Sequence, residues 1–143
     1  MFCIHQINPI RIIVDTNFLM AIAQVRINLS MELEAVLDSH FELLIPDFVL
    51  DEIKNLVQMK NKKPKIRREA QFALRLAQQL CQELPQSQST NTSVDSQIIS
   101  LAKQLGAIVA TNDKKLRATL KKEGILTIYL RGKNRLELSY CYS

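Results

Sequence analysis

A carboxylate set at the end of a β-branched run constrains this chain more than any other feature. Residues 9–19 read PIRIIVDTNFL. Three consecutive branched residues, Ile12, Ile13 and Val14, suit a strand buried on both faces, as strands inside parallel sheets are. Asp15 follows at once, then Thr16, Asn17 and an apolar segment, Phe18 to Val25, that suits a helix. In open α/β sheets the carboxyl ends of the strands are where sites are built. Asp15 is therefore a site candidate. Its plainer use would be to cap the helix that follows.

The rest of the chain repeats that alternation. FELLIP (41–46) predicts a second strand stopped by Pro46, AIVA (107–110) a third and ILTIYL (125–130) a fourth, with Leu136 to Leu138 as a weak edge. Between them run helical patterns. Ser30 is the expected cap of one with Leu33, Val36 and Leu37; Asp47 is the expected cap of another with Val49, Ile53, Leu56 and Val57. Ala70, Ala73, Ala77, Leu80 and Leu84 predict a long amphipathic helix from about Pro64 onward. Val94 to Leu105 has Ile98, Ile99, Ala102 and Leu105 on one face and Gly106 beyond its end. Leu116 and Leu120 mark a last helix, with Lys121 and Lys122 in its final turn. Residues 85–93, PQSQSTNTS, read as a flexible connection with room for one short strand. The expected fold is α/β: three layers, α/β/α, around a mostly parallel central sheet of four or five strands. A chain of 143 residues is one domain by length, with a core over about 10–130 and extensions at 1–9 and 131–143.

Composition excludes several classes. A hydrophobic content of 47% is enough for an ordinary core and argues against disorder. No apolar run approaches the ~18 residues of a membrane span, and the first residues lack the basic-then-apolar order of a secretory signal. Cys3, Cys81 and Cys141 fit neither a zinc spacing nor a disulfide framework, and His5 and His40 are isolated. The expectation is a cytoplasmic protein without a membrane partner. The net charge of +5 favours a polyanionic partner, although many unrelated proteins are as basic. Its most concentrated part is KNKKPKIRR: Lys60, Lys62, Lys63, Lys65, Arg67 and Arg68 either grip backbone phosphates or form a solvated loop. With few aromatics and no Trp, a base-stacking platform is poorly supported.

Three further acids share the context of Asp15. Asp113 follows the AIVA strand, Asp95 opens the helix before it, and Glu52 sits early in the helix after FELLIP. Each has a plain structural use as a cap, a first-turn charge or a solvated face. Together they would stand at one edge of the sheet and repel one another. A hard cation relieves such repulsion, and an all-oxygen set suits Mg²⁺ or Mn²⁺.

The segments IIVDTNFLM, VLDEI, SVDSQIISLAKQLG and IVATNDKKL, in that order and strand context, resemble a PIN-domain ribonuclease. That family includes VapC toxins and archaeal and eukaryotic ribosomal-RNA processing factors. The resemblance runs from about Ile10 to Leu130. It implies a metal-dependent endoribonuclease, toxin-type or rRNA-processing, that leaves 5′-phosphate and 3′-hydroxyl ends. It implies Asp15, Asp95 and Asp113 as metal ligands and Glu52 as the group that orients or deprotonates the attacking water. Asn17, Thr111 and Asn112 would hold the carboxylates or a phosphate oxygen by hydrogen bonds. The partners implied are RNA, an antitoxin or processing factors and, as is common in the family, a second copy of the chain. One departure is Ser96, where many members carry a second acid beside the third motif's Asp. A non-catalytic RNA-binding or scaffold PIN domain is the alternative, and it predicts loss of one or more acids; all four are present. A receiver-like domain would want a Lys after a strand where this chain has Thr111, and a haloacid-dehalogenase-like phosphatase would want D-x-D-x-T where this chain reads D-T-N-F-L.

Overall fold

The computed structural model describes residues 8–85 and 92–139. β1 (Ile10–Val14) runs through the middle of a sheet, parallel to β2 (Phe41–Pro46) on one side and to β4 (Ile108–Ala110) on the other. Ile12 stands opposite Leu43, and Ile13 opposite Val109. Beyond β2 lies β3 (Cys81–Leu84), also parallel; beyond β4 lie β5 (Thr127–Arg131), parallel, and β6 (Arg135–Ser139), antiparallel. The order is β3-β2-β1-β4-β5-β6.

Successive side chains of a strand leave opposite faces of the sheet, and the core divides accordingly. Ile12 and Val14 face α1 (Thr16–Val25), α2 (Leu29–Leu37), α3 (Asp47–Gln58) and α4 (Pro64–Leu80), meeting Phe18, Leu33, Ile53 and Ala73. Ile13, Leu44 and Val109 face α5 (Val94–Leu105) and α6 (Lys114–Lys122), meeting Ile98, Leu101, Leu116 and Leu120. The helices change face where the strand order turns back past β1, as crossovers of one hand require. That reversal opens a crevice at the carboxyl ends of β1 and β4, the place where open α/β sheets take ligands. Among the described residues no helix is long and apolar enough to cross a membrane.

The architecture is the three-layer α/β one read from the sequence, with six strands in place of four or five. The weak edge expected at Leu136 to Leu138, within the expected C-terminal extension, is the edge strand β6. The long helix ends at Leu80, and Leu84 lies in β3 instead of on the helix's apolar stripe. No breaker marks the junction: the Cys81 amide still donates to the Ala77 carbonyl while the strand begins pairing with Leu43. Leu84 keeps helical spacing from Leu80 by coincidence, and sheet pairing overrides it. The cap of α2 is Asn28, not Ser30; its Oδ1 accepts from the Met31 amide at 3.1 Å. Asp47 is the first residue of α3, behind Pro46 at the cap position. The expected connection falls largely on residues 86–91, which with Cys3, His5 and Cys141 lie outside the described residues.

Ile13 is fully buried between the sheet centre and α5 and α6. Ile13→Ala should cost about 2–5 kcal/mol, the usual range for truncating a close-packed core residue. Urea unfolding should show a lower midpoint at unchanged slope. A loss under about 1 kcal/mol would mean that this face is loosely packed.

Candidate active site

Four chain segments deliver acids to the crevice. Asp15 leaves the end of β1 and caps α1, its Oδ1 accepting from the Phe18 amide at 2.8 Å. Asp113 does the same for α6, accepting from the amides of Lys115 at 2.9 Å and Leu116 at 3.3 Å. Asp95 sits in the first turn of α5, whose cap is Ser93. Glu52, on α3, accepts at Oε1 from the Thr16 hydroxyl. All four line one cavity of about 500 Å³. Capping and site-building are thus compatible here: Asp15 and Asp113 cap helices and line the cavity with the same carboxylate.

A fifth acid, Glu69 of α4, lines the same cavity and was missed in the sequence. The available signal was faint. Glu69 is the only acid between Lys60 and Gln82, next to the buried Ala70. Met20, Val49 and Ile98 supply apolar wall.

Asn17, Thr111 and Asn112 stitch the strand ends together. The Asn17 Oδ1 accepts from the Asn112 amide at 3.0 Å and from the Thr111 hydroxyl at 3.4 Å. Thr111 Oγ1, fully buried, accepts from the Asp113 amide at 3.1 Å. The Asn112 side chain donates to the Leu130 carbonyl at 3.2 Å and accepts from the Leu130 amide at 2.9 Å, pairing with β5 like a short extra strand. Of the three, Asn17 lines the acidic cavity. Ser96 completes the cap of α5, its amide donating to the Ser93 hydroxyl and its own hydroxyl accepting from it.

Burial pushes the Asp15 carboxyl up to about 7, with the negative charges of Asp113 and Asp95 adding to the effect. The Thr111 hydroxyl, whose one proton is shared between Asp15 and Asn17, and the Phe18 amide oppose it by hydrogen bonding to the anion. The acids therefore sense one another, and their donors are all hard oxygen. That set fits Mg²⁺ or Mn²⁺ in chemistry and charge. Among the described residues no three acidic, His or Cys side chains converge on one point, so the fit is one of donor type rather than of a preformed coordination shell. His40 lines a separate recess with Glu34 and Asp38.

The basic run is mostly exposed. Lys60, Lys62, Lys63, Lys65 and Arg68 are exposed, whereas Arg67 is half-buried with its Nε enclosed and unpartnered. None of the six lines the acidic cavity.

The sequence profile of the family described as "PIN like domain" matches residues 12–133, nearly the whole of this fold and all four motifs. The chain belongs to the PIN-like domain family. It is similar to ribonuclease VapC4 of Methanocaldococcus jannaschii, with 30% identity over 129 residues, covering 90% of this chain and 95% of that protein. The PIN-like fold superposes on the PIN domain endonuclease Utp24 with a TM-score of 0.75 and 27% identity, covering 92% of each chain. A domain of a functionally unknown protein from Methanocaldococcus jannaschii matches with a TM-score of 0.61 at 18% identity, covering 85% of this chain and 91% of that one; it shows the fold alone.

The raised Asp15 carboxyl makes this PIN-like domain's stability depend on pH. The folded state keeps the proton up to about 7, the unfolded chain only to about 3.8. Over that window the folded state binds more protons, so stability falls as pH rises through it. Asn in place of Asp15 keeps the cap and removes the charge. In metal-free buffer, Asp15→Asn should unfold at nearly the parent's temperature at about pH 4 and several degrees higher at about pH 8. A pH-independent difference between the two proteins, measured by thermal unfolding, would contradict the buried, repelled state of Asp15.

Proposed function

We propose that this PIN-like domain is a divalent-metal-dependent endoribonuclease. The observation that supports it best is the meeting of Asp15, Glu52, Asp95 and Asp113, from four separate segments, in one cavity at the switch point of the sheet. The names of two relatives, a ribonuclease and a PIN domain endonuclease, point the same way.

Asp15, Asp95 and Asp113 would hold Mg²⁺ or Mn²⁺. Such a cation supplies Lewis-acid stabilisation of the charge that develops on the phosphate and lowers the pKa of a bound water. Glu52 orients the attacking water and takes its proton, with the Thr16 hydroxyl fixing one carboxylate oxygen and leaving the other to the water. The water oxygen bonds to phosphorus, and the bond from phosphorus to the 3′ oxygen breaks. The 3′ oxygen takes up a proton from solvent, which leaves a 5′-phosphate and a 3′-hydroxyl. Asn17, Thr111 and Asn112 act one step back, by fixing where Asp15 and Asp113 stand. The cellular reading is a cytoplasmic nuclease of toxin or rRNA-processing type, whose partners are RNA and an antitoxin or processing factors.

Asp15→Asn and Asp95→Asn should each lower Mn²⁺- or Mg²⁺-dependent cleavage by about a hundredfold or more, the scale seen when a group that stabilises developing charge is lost. A gel assay on structured and single-stranded RNA with end mapping measures this. Cleavage by Asp15→Asn at the parent's rate removes Asp15 from the ligand set. A parent that binds RNA but does not cut it with either metal favours the scaffold reading instead.

A further inference from the structure

A second cavity, of about 650 Å³, adjoins the acidic one: Ala21, Gln24 and Glu69 line both. Its lining adds the opposite charge. Lys65, from the first turn of α4 and one turn before Glu69, and Lys133, from the β5–β6 turn, line it. Both are exposed, and neither has an ion-pair partner among the described residues. One groove thus runs from five carboxylates to two free ammonium groups.

The wall that carries Lys133 is rigidly built. Asn112 clamps the strand before it through both hydrogen bonds to Leu130. Glu137 accepts from the Tyr129 hydroxyl at 2.9 Å and pairs with Arg131 at 3.0 Å, tying β6 to β5. The Arg117 guanidinium covers the Tyr129 ring at 3.9 Å and braces the hairpin from α6. Gly132, at φ +65, allows the turn that brings Lys133 to the groove.

We propose that this second cavity is the subsite for the neighbouring phosphate of a single-stranded RNA, held by Lys65 and Lys133 while the scissile phosphate lies over the acidic cavity. The inference rests on the endoribonuclease reading. An anionic strand drawn toward five carboxylates needs cationic groups beside them, and lysine ammoniums bind phosphate as point charges. The site is a groove between helices and a hairpin, which one unpaired strand can enter; a duplex holds its bases stacked inside and presents phosphates on a convex surface. No aromatic side chain lines either cavity, so the hold is electrostatic and insensitive to base identity at this position. Lys60, Lys62, Lys63, Arg67 and Arg68 line neither cavity; of the basic run only Lys65 belongs to the subsite, joined by a lysine from the far end of the chain.

The test is fluorescence anisotropy with a labelled oligouridylate across a salt series in EDTA, and cleavage of the same RNA with Mn²⁺. The full chain is compared with a Lys65→Ala, Lys133→Ala double variant and a Lys121→Ala, Lys122→Ala double variant of equal charge, altered in the last turn of α6. Losing one held phosphate should flatten the log–log salt slope by about 0.7 for a single strand. That change, with a raised KM and an unchanged kcat, is expected in the first variant and not in the second, while blunt duplex RNA binds all three proteins alike. If the parent cuts the RNA and the Lys65/Lys133 variant keeps the parent's slope and KM, the subsite is wrong and the nuclease reading stands. Equal losses in both double variants point to net charge and also overturn the subsite. A parent that neither binds nor cuts RNA overturns both.

Discussion

Asp15 is held by two demands that pull against each other. As the cap of α1 it must stand at the end of the central strand, where the Phe18 amide needs an acceptor. At that place it is almost wholly buried and within reach of the charges of Asp95 and Asp113. The rest of the site follows from that position. The strand order reverses at β1, so the segment after β4 must return beside Asp15, and α5 and α6 must start there. Topology gathers these three acids: Asp15 and Asp113 are held there as helix caps, and Asp95 by the start of α5.

The site is also tied to the core by hydrogen bonds and not only by proximity. Asn17 accepts from the segment after β4, and Asn112 pairs with Leu130 of β5. Through these two residues the loop that carries Asp113 is fixed to α1 on one side and to the β5–β6 hairpin on the other. A displacement of the hairpin would therefore be felt at Asp113. The core also supports this point from below: Val14 and Ala110, the last residues of β1 and β4, pack into the same face of the core and are both completely buried.

How much of this was readable in the sequence varies with the range of the signal. The β-branched run before Asp15, the strand before Thr111 and the strand ended by Pro46 are local patterns, and each was placed. The four acids are picked out by local context as well, Asp15 and Asp113 after strands, Asp95 at a helix start and Glu52 in the helix after β2, and all four line one cavity. The short strand β3 was lost because nothing local separates it from α4; only its pairing with Leu43 and Leu44 makes it a strand. Glu69 and Lys133 were lost for the same reason. Their membership in the groove depends on how α4 and the hairpin pack beside α1, which no window of sequence contains. Conversely, the six basic residues of 60–68 stand out in sequence, yet Arg67 is partly buried and Lys65 alone of them lines the groove.

The helices themselves bear on why such a cluster can exist in a folded protein. Asp15 and Asp113 stand at the caps of α1 and α6, and Asp95 lies in the first turn of α5. Three helix amino termini therefore meet the cavity, each presenting partial positive charge to an acid. Such an interaction contributes about 0.3–1 kcal/mol, or up to about 2 when partly buried. The Asp15 carboxyl still moves from 3.8 to about 7 with the Phe18 amide bound to it, a few kcal/mol against the anion, so the α1 terminus offsets only part of the burial and repulsion. The balance left over is unfavourable for a buried anion and is of the sign that a cation, or a proton, removes. A carboxylate that served only as a cap would gain nothing from being enclosed with others like it, since an exposed cap makes the same hydrogen bond without the repulsion. Enclosure costs this fold stability at neutral pH, which is what a site that binds a charge of opposite sign would be expected to carry before the charge arrives.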